Sequence, residues 1–228
     1  SYLWLVTSED DGLTWSDPVD ITPQVKEDWA LFFGTGPGVG IQLTRKEEYR
    51  GRLVVPIYTA NSNVGGSQSS AVIYSDDHGA TWELGESPQE LRGYDRENMN
   101  SNEMLTEAQA VELDNGNVLL FMRNNFSGKV QVATSTDGGA TWDKIGETKL
   151  TDVYCQLSVI HYTKPNGEEY VLLSNPSRSG RYNGKMYLGQ VQENGSMEWK
   201  WEREINSASE RFAYSCLTLV SNPSASED

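Results

Sequence analysis

The chain has 228 residues and a formal net charge of −15, from 33 acidic against 18 basic side chains, with a sequence pI near 4.5. That balance excludes a nucleic-acid binder built on a basic patch, and no apolar run approaches the ~20 residues of a helical membrane span. Two histidines and two cysteines leave little from which to build a histidine triad or a His/Cys metal centre, so neither a metal nor a cofactor is expected.

In chain order, the strand-like run Leu3-Trp4-Leu5-Val6 leads into Ser8-Glu9-Asp10-Asp11-Gly12-Leu13-Thr14-Trp15. The pattern Ser-x-Asp-x-Gly-x-Thr-Trp returns at 75–82 and 135–142, behind the apolar runs 71–74 and 130–133. Asp bonds its own downstream backbone and Gly supplies positive φ, so the middle of the motif specifies a tight turn. Ser and Thr close side-chain bonds across the loop, and Trp anchors it by burying a large ring. Copies spaced 67 and 60 residues apart predict one hairpin of a repeated β-unit, as in a β-propeller. Asp-x-Asp-x-Gly also has the look of a calcium loop. An EF-hand, however, needs flanking helices and a Glu at its twelfth position, whereas these flanks are strands and the third copy has Asp137 alone.

Residues 23–33 predict a short helix or irregular excursion, opened by Pro23, with Val25, Trp29, Phe32 and Phe33 on one face. The glycine-rich stretch 34–43 lacks a Walker lysine and runs into a strand. It predicts backbone packed close to the centre of the fold, not a phosphate cradle. A charged hairpin tip at 44–50 precedes a buried strand at 53–58, and a Ser/Asn/Gly loop spans 59–69. Residues 83–102 read as a long polar loop of the functional kind. Two strands flank the Asp114-Asn115-Gly116-Asn117 turn within 106–124. Further strands are expected at 155–162, 170–174, 186–191, 199–203 and 212–220, with turns at Asn166-Gly167 and Asn194-Gly195 and a basic loop at 175–184. Cys155 and Cys216 are expected as buried thiols, with a single disulfide as the alternative. One domain over 1–220 and a tail without fixed structure at 221–228 complete the reading.

The turn motifs mark one end of the sheets, so functional groups are expected on the opposite rim. Four segments carry polar residues beside apolar strands: Thr106-Glu107-Ala108-Gln109, Phe121-Met122-Arg123-Asn124, the loop 175–184, and Phe212-Ala213-Tyr214-Ser215-Cys216. The turn motif resembles the Asp-box of sialidases, which also occurs in other propellers, including sortilin-type receptors. The four segments, with Gly36-Pro37-Gly38-Val39-Gly40-Ile41-Gln42-Leu43, resemble the catalytic segments of large secreted bacterial exo-α-sialidases (neuraminidases), over nearly all the chain. The resemblance implies an all-β, six-bladed β-propeller that removes terminal α-linked sialic acid from sialylated glycans with retention. It also implies a protein secreted from, or attached to, a bacterial cell.

Carried over residue by residue, Tyr214 matches the family's nucleophile. Sialic acid bears a carboxylate on its anomeric carbon, which repels an Asp or Glu nucleophile but not a neutral phenol. A phenol of pKa ~10 needs a base, and Glu107 matches that partner. Arg123 and Arg181 match two of three arginines that clamp the substrate carboxylate through forked, charge-assisted bonds. Arg178 competes in the same loop, and Arg181 is preferred because it stands two residues before Asn183-Gly184. Tyr154 matches a tyrosine lining the sugar pocket. Tyr58 and Gln68 match positions near the glycerol tail or the leaving group. The family's Phe/Tyr-Arg-Ile-Pro segment, which holds the third arginine, has no counterpart here, nor has the acid/base aspartate after it. The expectation is an incomplete propeller without its first blade and closing strand, weakly active or inactive alone, whose partner is the rest of the same propeller. A non-catalytic sialoglycan-binding propeller and an intramolecular trans-sialidase are the alternatives.

Overall fold

The computed structural model describes residues 1–61, 66–98 and 103–220. Around the first turn motif, β1 (Trp4–Leu5) pairs antiparallel with β2 (Val19–Asp20). The second sheet runs β3 (Ala30–Thr35), β5 (Leu53–Asn61), β6 (Gln68–Ser75), β7 (Glu83–Leu84), with β4 (Ile41–Gln42) also paired to β5. The third is the meander β8 (Leu105–Glu112), β9 (Val118–Asn124), β10 (Lys129–Ser135), β11 (Lys144–Thr151). The fourth is β12 (Ser158–Thr163), β13 (Glu169–Arg178), β14 (Tyr182–Val191), β15 (Met197–Glu204). Strand β8 packs against both β5 and β12, so the second, third and fourth sheets stand side by side as blades.

Burial follows from this stacking. Every residue of β9 is buried, because its sheet is covered on both faces. Alternation then sorts its side chains between two cores. Leu120 and Met122 join Leu43, Val54, Val72, Leu105 and Trp142 on one side, while Leu119 and Phe121 join Val130, Leu157, Val159, Val171 and Leu173 on the other. A third core gathers Ile21, Val25, Phe33, Ile57, Ile73 and Trp82. A fully buried side chain of the Phe121 kind contributes roughly 1.5–3 kcal/mol relative to exposure.

The turn motifs close as their residue types dictate. In the second copy Ser75 Oγ donates to Asp77 Oδ1 at 2.9 Å and accepts from the Gly79 amide at 2.8 Å. The Asp77 carboxylate also accepts from the Thr81 amide at 2.8 Å and hydroxyl at 2.6 Å. The first and third copies repeat this pattern around Asp10 and Asp137. These carboxylates are thus occupied as turn acceptors, as the turn reading requires. Arg52 ties the second and third copies together. It grips Asp76 through Nε and Nη2, both at 2.7 Å, donates to the Asp137 carbonyl at 2.9 Å, and lies over the Tyr49 and Tyr74 rings.

Several expectations need correction. Trp82 and Trp142 are buried anchors, but Trp15 is 61% exposed, because it rests on a two-stranded sheet whose outer side no described layer covers. The helix is the single turn α1 (Thr22–Val25), and Phe32 and Phe33 belong to β3. Strands β5 and β6 extend into the 59–69 loop, and β11 was not anticipated, since its Lys, Gly, Glu and Thr give no apolar pattern. Within 83–102, a 3₁₀ turn at Pro88–Arg92 is closed by a Ser87/Glu90 capping box; its last four positions lie outside the described residues. Residues 155–157 precede the strand rather than belong to it, and most of the basic loop 175–184 is strand, leaving a turn at Ser179-Gly180-Arg181. Residues 212–220 form no sheet strand, because beyond Phe212 their backbone hydrogen bonds go to the side chains of Gln156 and Ser158 instead. Both cysteines are free, Cys155 buried and Cys216 exposed. The expected tail at 221–228 lies outside the described residues. The glycine-rich stretch does pack closely: a Cβ on Gly36 would stand 2.8 Å from the Ala108 carbonyl, and one on Gly38 would collide with the Gln109 side chain.

Candidate active site

The first two site residues come from one hairpin. In β8 and β9, Leu105 pairs with Asn124 and Ala108 with Met122, so Thr106 and Glu107 together stand opposite Arg123. This bulge turns Glu107 toward its neighbour. Arg123 Nη1 donates to Glu107 Oε2 at 2.5 Å, both side chains being almost buried. Burial alone would lower the Arg123 pKa, but the hydrogen bond and charge of Glu107 outweigh it, and the guanidinium is held more firmly protonated than usual.

Tyr214 arrives from the far end of the chain. Its hydroxyl donates to Glu107 Oε1 at 2.5 Å and accepts from Arg123 Nη1 at 3.3 Å. Burial first, and then the Glu107 hydrogen bond, raise its pKa above the ordinary phenol value. The resting phenol is therefore protonated at neutral pH, and any attack by its oxygen requires the proton to pass to Glu107. Arg181 lies over the Tyr214 ring, 5.7 Å from its centroid, and donates to the Tyr154 carbonyl at 3.3 Å. Tyr154 in turn stacks its ring 3.9 Å from the Arg123 guanidinium carbon. Arg178, the competing arginine, points elsewhere, toward the Ala208 carbonyl.

Tyr58 stands beside this group. Burial raises its pKa, with the Glu107 charge adding to the rise, and its ring lies 4.9 Å from that of Phe32. Gln68 opens β6 opposite Ala60, while Tyr58 pairs with Ser70, so Gln68 and Tyr58 share one face of the sheet. The structure thus brings Tyr214, Glu107, Arg123, Arg181, Tyr154 and Tyr58 together and sets Gln68 at the margin.

Strain marks the same place. Among the described residues six non-glycine positions have positive φ, and three of them are Tyr154 (56°), Arg181 (63°) and Tyr214 (59°). A bulky residue in this region is uncommon and persists only where the surroundings over-determine it. Two residues not anticipated from the sequence supply that. Asp152, buried, accepts from the amides of Tyr154 (2.7 Å) and Cys155 (3.3 Å) and from the Asn124 amide at 2.8 Å, fixing the Tyr154 turn to the residue after Arg123. Gln156 donates to the Ser215 carbonyl at 2.8 Å and accepts from the Ser215 amide at 3.0 Å. Neither residue has a sequence signal, since an Asp and a Gln beside a turn are common. Elsewhere, Asp114, His161 and Glu169 lie close together, but they are engaged with one another and with Arg45 and Thr163.

Chemically, the cluster offers a phenol oxygen with a carboxylate placed to take its proton. The guanidiniums of Arg123 and Arg181 add positive charge beside that pair. The family model for BNR repeat-like domains matches residues 1–225. The anhydrosialidase of Macrobdella decora is 34% identical over 95% of the chain, and a sialidase of Bacteroides fragilis 32% over 96%. The chain spans only 28% and 37% of those two proteins. A leech intramolecular trans-sialidase complexed with 2,7-anhydro-Neu5Ac aligns over 94% of the chain and 31% of its own, with TM-score 0.80 and 32% identity. The intramolecular trans-sialidase of Ruminococcus gnavus aligns over 94% and 43%, with TM-score 0.79 and 33% identity. The all-β architecture is that of the sialidase propellers, and the chain belongs to the BNR repeat-like domain family, with sialidase homologues across most of its length.

Proposed function

We propose that this chain is the nucleophile-bearing part of an enzyme that cleaves terminal α-linked sialic acid from glycans outside the cell. Tyr214 Oη attacks the anomeric carbon as its proton passes to Glu107, and the bond to the leaving oxygen breaks. Arg123 and Arg181 pair with the sugar carboxylate, and Tyr154 and Tyr58 line the pocket, with Gln68 at its margin. Water then attacks the anomeric carbon, giving its proton to the group that protonated the leaving oxygen, while the bond to Tyr214 Oη breaks and Glu107 returns the proton to that oxygen, so the sugar leaves with its configuration retained. The single observation carrying this reading is the Tyr214 phenol hydrogen-bonded to Glu107 beside the Arg123 guanidinium. The leaving oxygen needs a proton from a general acid, typically contributing about 10²–10⁴-fold. No residue of this chain is assigned that task, so the chain alone is expected to turn over slowly.

The test is release of fluorophore from a 4-methylumbelliferyl α-sialoside, together with the mass of the Tyr214 peptide after exposure to 2,3-difluorosialic acid. Wild type should acquire a glycosyl adduct on Tyr214. Tyr214→Phe should lose adduct and turnover while still binding sialic acid. Unchanged turnover in Tyr214→Phe would sink the assignment. A second reading is favoured by the names of the leech and Ruminococcus gnavus enzymes: the sugar's own hydroxyl, in place of water, displaces Tyr214 and gives an anhydro sugar. NMR of the released sugar separates the two.

A further inference from the structure

A groove of about 560 Å³ opens between the outer strands of the third and fourth sheets, β11 and β15, and reaches Arg178 beside the Ser179-Gly180-Arg181 turn. It therefore begins at the hairpin that carries Arg181, but it contains neither Tyr214 nor Glu107.

Both of its walls depart from regular strand. In β11, Glu147 pairs with Gln131 and Thr151 with Lys129, so three residues including Lys149 stand opposite one. In β15, Trp199 pairs with Gly189 and Trp201 with Leu188, leaving Lys200 unpaired. A regular strand sends neighbouring side chains to opposite faces, yet Trp199, Lys200 and Trp201 all line this groove. Bulges of this kind re-aim side chains and recur beside functional sites.

What they aim is chemically specific. Trp201 is 47% exposed, an indole platform of the kind that stacks on the apolar face of a sugar ring. Four cations line the groove, Lys149, Arg178, Lys185 and Lys200, in a chain whose net charge is −15. Glu202 neutralises Lys185 at 2.6 Å and Glu198 neutralises Lys200 at 3.2 Å. Lys149 and Arg178 have no carboxylate partner among the described residues, so the groove keeps local positive charge on a negative molecule. Its volume lies within the roughly 300–1,000 Å³ of small-ligand sites.

We propose that this groove is an accessory subsite for an anionic oligosaccharide, with Trp201 stacking on a sugar ring and Lys149 and Arg178 pairing with its carboxylate or sulfate. The assignment stands on the groove alone and does not depend on Tyr214 being a nucleophile. The reporter is the Trp201 indole N–H in ¹H–¹⁵N spectra, identified with Trp201→Phe and followed in wild type and Tyr214→Phe during titration with 3′-sialyllactose, a sulfated chondroitin disaccharide, lactose and a glutamate-rich peptide. A saturable shift with one or both anionic sugars is expected, equal in wild type and Tyr214→Phe. The sugar that acts tells a carboxylate source from a sulfate source. The double variant Lys149→Glu, Arg178→Glu should weaken the shift at least about tenfold, one tenfold step per 1.4 kcal/mol of lost charge-assisted bonding. Either variant can be checked for an unchanged remaining spectrum. No shift with either anionic sugar, an equal shift with lactose or the peptide, or full binding by the double variant would overturn the proposal.

Discussion

Replacing Gln156 by Ala should free the segment that carries Tyr214 without unfolding the blades. Gln156 is 2% exposed, and its amide makes two hydrogen bonds to the Ser215 peptide, at 2.8 and 3.0 Å. Beyond Phe212 no backbone–backbone hydrogen bond holds this segment among the described residues, so side chains carry its attachment. A neutral hydrogen bond contributes about 0.5–1.5 kcal/mol net, and losing both costs about 1–3 kcal/mol. Because the opening is local, that loss enters the exchange rate of the Ser215 amide rather than global stability. At 1.4 kcal/mol per tenfold, Ser215 should exchange roughly 5- to 150-fold faster in Gln156→Ala. Hydrogen exchange followed by NMR on the 228-residue chain measures this directly. Leu217 serves as the internal control: its amide bonds to Ser158 Oγ at 2.8 Å, so Ser158→Ala should loosen Leu217 more than Ser215. A change below about twofold at Ser215 in Gln156→Ala would refute the account, because a two-bond clamp of ordinary strength cannot be that weak.

Three further outcomes follow from other parts of the fold. Arg52→Ala removes the link between two turn motifs. Because Asp76 is half exposed and regains water, the cost is about 2–3 kcal/mol, which lowers the calorimetric Tm by roughly 4–12 °C, and a drop under about 2 °C would contradict the linking role. Bonds from the Thr81 hydroxyl and amide hold the Asp77 pKa down at about 2, from an ordinary 3.8. Its contribution is therefore present above the ordinary carboxylate range and lost as pH falls toward 2, so Asp77→Asn should be less stable in urea at pH ~7 with the deficit shrinking between pH ~4 and ~2. A deficit that does not vary with pH would count against it. Iodoacetamide should label exposed Cys216 rapidly but Cys155 only on unfolding, since Cys155 is buried and its thiol is pushed up by that burial. Equal labelling rates in the folded protein would contradict the described packing.

The blades were legible because their signals are local. Asp, Gly and Thr at fixed spacing set each turn, and the near-continuous apolar runs within β5, β6 and β9 mark buried strands. Strand β11 was missed because its Lys and Glu residues face solvent and leave no apolar period. The failure at 212–220 has a different cause. Its apolar residues look like a strand, but whether a strand joins a ladder depends on a partner edge that propensity does not encode. At the site, side-chain identity drew attention to Tyr214, Glu107, Arg123 and Arg181 through family resemblance. Asp152 and Gln156 act on backbone groups across 28 and 59 residues of separation, and only folding reveals such partners. The Trp15 expectation failed because burial belongs to the neighbouring layer, not to the motif.

The hairpin origin of Glu107 and Arg123 sets a timetable for assembly. These two buried charges are 16 residues apart, so they neutralise one another as soon as β8 and β9 meet, a low-contact-order event. Tyr214 follows Arg123 by 91 residues. At the roughly 5–20 residues per second of synthesis, that delay is about 5–20 s. A nascent chain thus carries a finished, electrically balanced ion pair well before it carries Tyr214. Ribosome-stalled chains ending before Tyr214 should accordingly protect the Glu107 and Arg123 amides from exchange, and unprotected amides there would break the timetable.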